Sequence, residues 1–220
     1  MLIELASTPA AAGLFFIYIK DKYEKEPWRM LFLGLLFGLY TAAVVYGLGR
    51  WLEFRFPHEE TPLYTAFGSS AGVEEAVKFL FLFFLIWMNR NFNEPLDGIV
   101  YGVFLSLGFA WVENVIYVLH PVLGGFGTAL TRALLSVPGH ALFGVQMGYY
   151  MALARFTGQK KYLLLSILVP YILHGCYNYF LLEKQEIFWL PFAALEGLLW
   201  LLGLRRIRHL QRISPFRHKP

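Results

Sequence analysis

Seven apolar stretches, each about as long as a helix that crosses a bilayer, succeed one another along this 220-residue chain. They fall near 2–19, 30–49, 68–88, 97–119, 128–154, 162–182 and 187–204. A helix needs about 20 mostly apolar residues to cross about 30 Å of hydrocarbon. Hydrophobic residues make up 57% and charged residues 15%, against about 45–50% and about 25% in soluble domains. A soluble domain of this length cannot bury so much apolar surface. Disorder, collagen and coiled coil are excluded. One cysteine, Cys176, excludes an internal disulfide framework and a Cys-based zinc cluster. The expected fold class is all-α: a polytopic membrane protein of about seven transmembrane helices. Residues 1–204 form a single transmembrane domain and 205–220 a basic tail. The first segment lacks a positive n-region and reads as a retained helix rather than a signal peptide. No repeat of 20–50 residues is visible.

Loop cations set the direction of insertion. With seven spans, alternate sides carry 14 and 4 Lys and Arg. The first loop and the tail lie on the richer side, so the N-terminus is expected outside and the C-terminus in the cytoplasm. Six of the 19 Lys and Arg follow residue 204. Such a tail suits anionic lipid rather than nucleic acid.

A charge within a membrane helix costs at least about 2.5–3.5 kcal/mol on insertion scales, so such residues are functional candidates. Here they are Glu74, Glu75 and Lys78 in the third span, Glu113 in the fourth, His140 in the fifth and His174 in the sixth, with Asn114 and Asn178 beside them. At about 1.5 Å per residue, Glu74, Glu75, Glu113 and His174 come out roughly 6–12 Å below the outer face. His140 is deeper. Glu74 and Lys78 share a helix face at i,i+4, as do His174 and Asn178. Pro138 and Pro170 stand close before the two histidines, where they can bend their helices.

Plainer roles exist for each. Glu74 and Lys78 can be a structural ion pair, Glu75 a headgroup contact, Glu113–Asn114 an interhelical node, and either histidine a packed one. His120 reads as interfacial. Trp28, Trp51 and Trp189 stand near span ends, as aromatic belts do. Gly102, Gly108, Gly144 and Gly148 suit close helix packing.

Peptide hydrolysis needs an activated water, donors for the developing oxyanion and an acid for the leaving amine. A glutamate with an imidazole can take the water's proton, and His174 with Asn178 can hold the oxyanion. Alternatively Glu75, His140 and His174 can hold Zn²⁺ while another glutamate acts as base. No HExxH motif is present, and the metal-free version is preferred. A proton-coupled carrier also buries carboxylates and histidines near the midplane. It expects two similar halves, which this chain lacks. His140 and His174 could also ligate a haem.

The chain resembles the PrsW intramembrane proteases of Gram-positive bacteria. The resemblance runs nearly its whole length. It is carried by KDKYEKEP at 20–27, VEEAVKF at 73–79, LDGIVYG at 96–102 and SLGFAWVENVIY at 106–117, then RALLSVPGHALFGVQMGYY at 132–150 and VPYILHGCYNYF at 169–180. It implies a multi-pass protease of the bacterial cell membrane. Its substrate would be a single-span anti-sigma factor. The protease would make the first, extracytoplasmic cut, starting release of an ECF sigma factor by regulated intramembrane proteolysis. It implies essential roles for Glu74, Glu75 and His174. The related CAAX-protease and bacteriocin-processing group ends in His-x-x-x-Asn, matched by His174 and Asn178. That group has Arg near Lys78, one residue out of register. Lys78, Glu113 and Asn114 are expected to support the catalytic residues Glu74, Glu75, His140, His174 and Asn178.

Overall fold

The computed structural model describes residues 1–56, 61–183 and 185–217. Among them there is no strand. Eight α-helices follow in order: α1 Leu2–Lys20, α2 Trp28–Arg55, α3 Val73–Ile86, α4 Pro95–Val118, α5 Phe126–Leu134, α6 Ser136–Thr157, α7 Lys161–Leu182 and α8 Trp189–Arg212. A π-helical stretch, Tyr64–Gly72, runs directly into α3, and a 3₁₀ turn, Glu186–Phe188, leads into α8.

Among the described residues, five segments are long and apolar enough to cross a membrane: α1, α2, α4, α7 and the last, Glu186–Arg212. The expected third and fifth spans differ from the rest. The third is a 14-residue α-helix preceded by nine π-helical residues. The fifth divides at Leu135 into α5 and α6. The division has a local cause. Pro138 lacks an N–H and is accommodated in a first helical turn, and restarting the helix at Ser136 puts it there. Pro170 instead sits inside an unbroken α7. The two irregular segments also carry Glu74, Glu75, Lys78 and His140. Irregular backbone at membrane depth is tolerated where protein buries it or it lines a cavity.

Helix α4 is the axis of the bundle. It is apolar on every side, which suits a helix surrounded by others. Some 72% of its apolar window is buried, against 17% for α1 and for the last segment. Its start is set by a capping box between Glu94 and Asp97, with Pro95 in the first turn. Glycines let α6 lie against it. A Cβ on Gly148 would stand 2.0 Å from the Gly98 carbonyl oxygen, and one on Gly144 2.6 Å from that of Gly102. Gly108 meets α2 in the same way, 2.4 Å from the Leu35 carbonyl oxygen. The packing role expected of Gly102, Gly108, Gly144 and Gly148 is therefore observed. One turn beyond Gly144 along α6 stands His140, which meets Phe109 and Glu113 of α4. The glycine contacts thus fix the register that pairs His140 with Glu113.

The outer surface is apolar. Phe15, Phe54, Phe84, Met88 and Leu190 are all more than 60% exposed. So many large apolar side chains at the surface suit lipid rather than water. Trp28 and Trp189 are exposed at helix starts, and Trp51 near the end of α2. The tail begins inside a helix, since α8 continues to Arg212 with Ile207 and Leu210 packed in the core.

Candidate active site

The ionisable residues of four separate segments meet at one place. The centre is the Lys78 ammonium, fully buried. Its Nζ lies 2.8 Å from Glu75 Oε1, 3.1 Å from Glu74 Oε2 and 3.3 Å from His140 Nδ1. An ammonium has three hydrogens and no acceptor, so these three partners use all of them. With Nδ1 accepting, the His140 Nε2–H donates to Glu113 Oε2 at 2.8 Å. His174 Nδ1 lies 2.9 Å from Glu75 Oε1. A carboxylate accepts only, so His174 donates through Nδ1. Its Nε2 then carries the lone pair and takes no partner among the described residues. The His174 ring is held from behind by Phe143, stacked at 4.6 Å between centroids.

Several local features hold these groups in place. The π-helical stretch puts Ser70 one turn before Glu74, and Ser70 Oγ donates to Glu74 Oε1 at 3.0 Å. Single π turns inside helices recur at functional sites. Asn178 Nδ2 donates to Ser70 Oγ at 2.8 Å, tying α7 to that stretch. A Cβ at Gly175 would stand 2.2 Å from the Phe67 ring, so the residue after His174 must be glycine for the stretch to dock. Asn114 is turned away from the centre. Its Nδ2 donates to the Ala6 carbonyl and its Oδ1 accepts from Arg132 Nε.

A cavity of about 230 Å³ opens beside the centre. His140, His174, Glu113, Asn178, Ser70 and Tyr177 are among its lining residues, but Glu74 and Glu75 are not. Glu75 is fully buried and meets the cavity through His174.

Every site residue expected from the sequence except Asn114 is thus within this network, and Asn114 supports it from the rim. Three further residues join them. Arg132 places Nη2 2.8 Å from Glu113 Oε2, although in sequence it is a lone loop cation. Ser70 carries no signal beyond its i,i+4 spacing to Glu74. Tyr177 is 3% exposed, its hydroxyl has no partner, and it lines the cavity; it sits three residues after His174, on the same helix face. A haem at His140 and His174 is ruled out by geometry, since the rings meet edge to face with centroids 5.2 Å apart. No porphyrin plane fits between them.

The fold and site define a helical membrane protein with a buried carboxylate–imidazole centre open to a cavity. Comparison with known proteins is specific. The family model of the PrsW family intramembrane metalloproteases matches residues 26–202. The protein called Protease PrsW in Geobacillus kaustophilus is 38% identical over 213 residues, covering 94% of this chain and 91% of that protein. Its namesake in Bacillus subtilis is 34% identical and covers 97% of each. The one in Oceanobacillus iheyensis is 36% identical and covers 94% of each. No solved structure matches significantly. The chain belongs to the PrsW family of intramembrane proteases. It is accordingly a multi-pass protein of a bacterial membrane and an intramembrane peptidase.

The family description raises the question of a metal. One donor atom from each of Glu74, Glu75, His140 and His174 lies within 4.8 Å of the others, and imidazole with carboxylate is a zinc-type donor set. The centre of that set, however, is taken by the Lys78 ammonium, bonded to three of the four residues. A dication cannot share those donors with a buried ammonium at hydrogen-bond distance. With Lys78 in this position the residues do not fit a metal.

Proposed function

We propose that this chain makes the first, extracytoplasmic cut in a single-span anti-sigma factor, by a metal-free mechanism based on glutamate and histidine. The observation that supports it most is the Glu75–His174 pair, whose free imidazole nitrogen belongs to a ring lining the cavity. His174 Nε2 takes a proton from water as the water attacks the scissile carbonyl. Glu75 holds the tautomer and stabilises the imidazolium that forms. The proton then passes to the leaving amine. One hydrogen of the Asn178 amide is committed to Ser70. The other, with the partnerless Tyr177 hydroxyl, is assigned to the developing oxyanion. This moves proton abstraction from the glutamates to His174, with Glu75 behind it. Lys78 ties Glu74 and Glu75 together, and the Glu113–His140 pair holds the ammonium from the other side.

Seven passages, with the N-terminus outside, complete this reading. The helix formed by Tyr64–Gly72 and α3, and α6 with its lead-in α5, cross with the other five. The 14-to-4 loop cation bias then puts the cavity in the outer half of the bilayer. An anti-sigma factor cut there leaves a short membrane stub suited to a second protease. The test is reconstitution with candidate single-span substrates and sequencing of the retained fragment's new N-terminus. A cut on the cytoplasmic side of the substrate's span, or activity that survives Glu75→Gln, refutes it.

A further inference from the structure

A second group of carboxylates lies at the other end of α4. Asp97 and Glu113 are 16 residues apart on that helix, about 24 Å at 1.5 Å per residue. Too far away to act in hydrolysis, Asp97 meets the loop joining α1 to α2, the KDKYEKEP segment. Asp21, Glu26, Glu94 and Asp97 are each no more than 3% exposed, and Glu24 is half-buried beside them.

Backbone and hydroxyl donors occupy one oxygen of each buried carboxylate. Asp97 Oδ2 accepts from the Asn93 and Glu94 backbone N–H groups. Glu26 Oε2 accepts from the Tyr101 hydroxyl, Asp21 Oδ2 from the Glu26 N–H, and Glu94 Oε2 from the Ser214 hydroxyl. Asp21 Oδ1 and Glu94 Oε1 are buried without a partner, while the Glu26 and Asp97 carboxyls face each other at hydrogen-bond distance with no other donor for Glu26 Oε1 or Asp97 Oδ1. Lys22 of the same loop is exposed and turned to solvent. Lys25 gives its ammonium to the Tyr18 carbonyl and rests over the Tyr18 ring, 4.2 Å from its centroid. Glu24, Glu26 and Asp97 each offer one oxygen, all within 4.8 Å of one another.

We propose that Glu24, Glu26 and Asp97 hold a hard divalent cation, of the Mg²⁺ or Ca²⁺ class, that pins the α1–α2 loop to the start of α4. Oxygen-only donors select such ions over zinc. Glu24, the half-buried member, faces the entry path. Asp21 and Glu94 add negative charge around the site. The site is independent of the catalytic centre and of the reading given to it.

The experiment uses the full chain in detergent, stripped with chelator. Mn²⁺ bound to the chain is followed by EPR, and thermal unfolding is followed with and without Mg²⁺ or Ca²⁺. One tightly held Mn²⁺ is expected, displaced by Mg²⁺ or Ca²⁺. Saturating cation should raise the Tm by about 4 °C or more. Glu26→Gln and Glu24→Gln should each lose both effects. In chelator, Glu26→Gln should melt no lower than the unaltered chain, because it sets a neutral amide donor against Asp97 in place of a second carboxyl; this separates loss of binding from loss of folding. Glu75→Gln should bind Mn²⁺ as before. A Tm insensitive to cations refutes the proposal. So does Mn²⁺ binding that survives Glu24→Gln and Glu26→Gln. A Tm that follows pH alone refutes it in favour of shared protons.

Discussion

Replacing Lys78 by methionine separates the ammonium-centred reading of the site from a metal-centred one. The side chain is fully buried and its two carboxylate partners nearly so. Methionine keeps the stem and removes the charge, leaving Glu74 and Glu75 facing each other without a cation. Breaking a buried ion pair from one side costs about 3–5 kcal/mol. For a chain of this size each kcal/mol moves the Tm by about 2–4 °C, so melting should fall by about 6–20 °C. Peptidase activity should drop by at least about 10²-fold, the scale of a lost preorganised donor. A second effect runs the other way. With the ammonium gone, four donor residues with atoms within 4.8 Å are left without a cation, and the variant should take up Zn²⁺ that the unaltered chain does not. The measurements are melting in detergent, cleavage of a reconstituted single-span substrate, and zinc content by mass spectrometry after dialysis. Stoichiometric zinc in the unaltered protein, with activity lost to chelator and restored by the metal, refutes the reasoning. So does a Lys78→Met variant as active as the parent.

Glu75→Gln keeps the shape of the side chain but no longer secures the His174 tautomer; it should lower the cleavage rate by about 10²–10⁴-fold while membrane insertion, read by protease accessibility, stays normal. Arg132→Gln frees Glu113 from its guanidinium while leaving His140 as its partner; activity should fall less than in Glu75→Gln, with expression unchanged in immunoblots. Gly148→Ala sets a methyl 2.0 Å from the Gly98 carbonyl oxygen. The resulting overpacking should cost about 1–3 kcal/mol, seen as a lower Tm, and should weaken catalysis through the shifted His140. Tyr177→Phe removes a hydroxyl that has no partner; it should lower kcat with little change in Tm.

The members of the candidate site are legible in the sequence because membrane burial makes polar side chains conspicuous. Glu74, Glu75, Lys78, His140 and His174 stand out against apolar neighbours, and spacing alone put Glu74 with Lys78 and His174 with Asn178. The helical class followed from the same apolar runs. The pairings across helices were not readable. Nothing local says that His140 takes Glu113 while His174 takes Glu75, since that choice depends on how α6 and α7 rotate against α3 and α4. Arg132 stayed hidden because the division at Leu135, which turns α5 toward Glu113, requires knowing where the helix restarts relative to Pro138. The π-helical stretch was equally hidden, since Tyr64–Gly72 has the composition of an ordinary helix start. Tyr177 was lost among 13 tyrosines, most of which need no role beyond packing.

Glu75 and His174 are separated by 99 residues of chain, and Lys78 and His140 by 62. A ribosome delivers α3 to the membrane well before α7. Until α7 has entered and seated Gly175 against Phe67, the imidazole proposed as proton acceptor is missing, and the half-made protein carries the carboxylates without it. A membrane protease that matured earlier would meet every neighbouring nascent span while still being inserted. On the proposed mechanism, the order of synthesis delays activity until the bundle is complete.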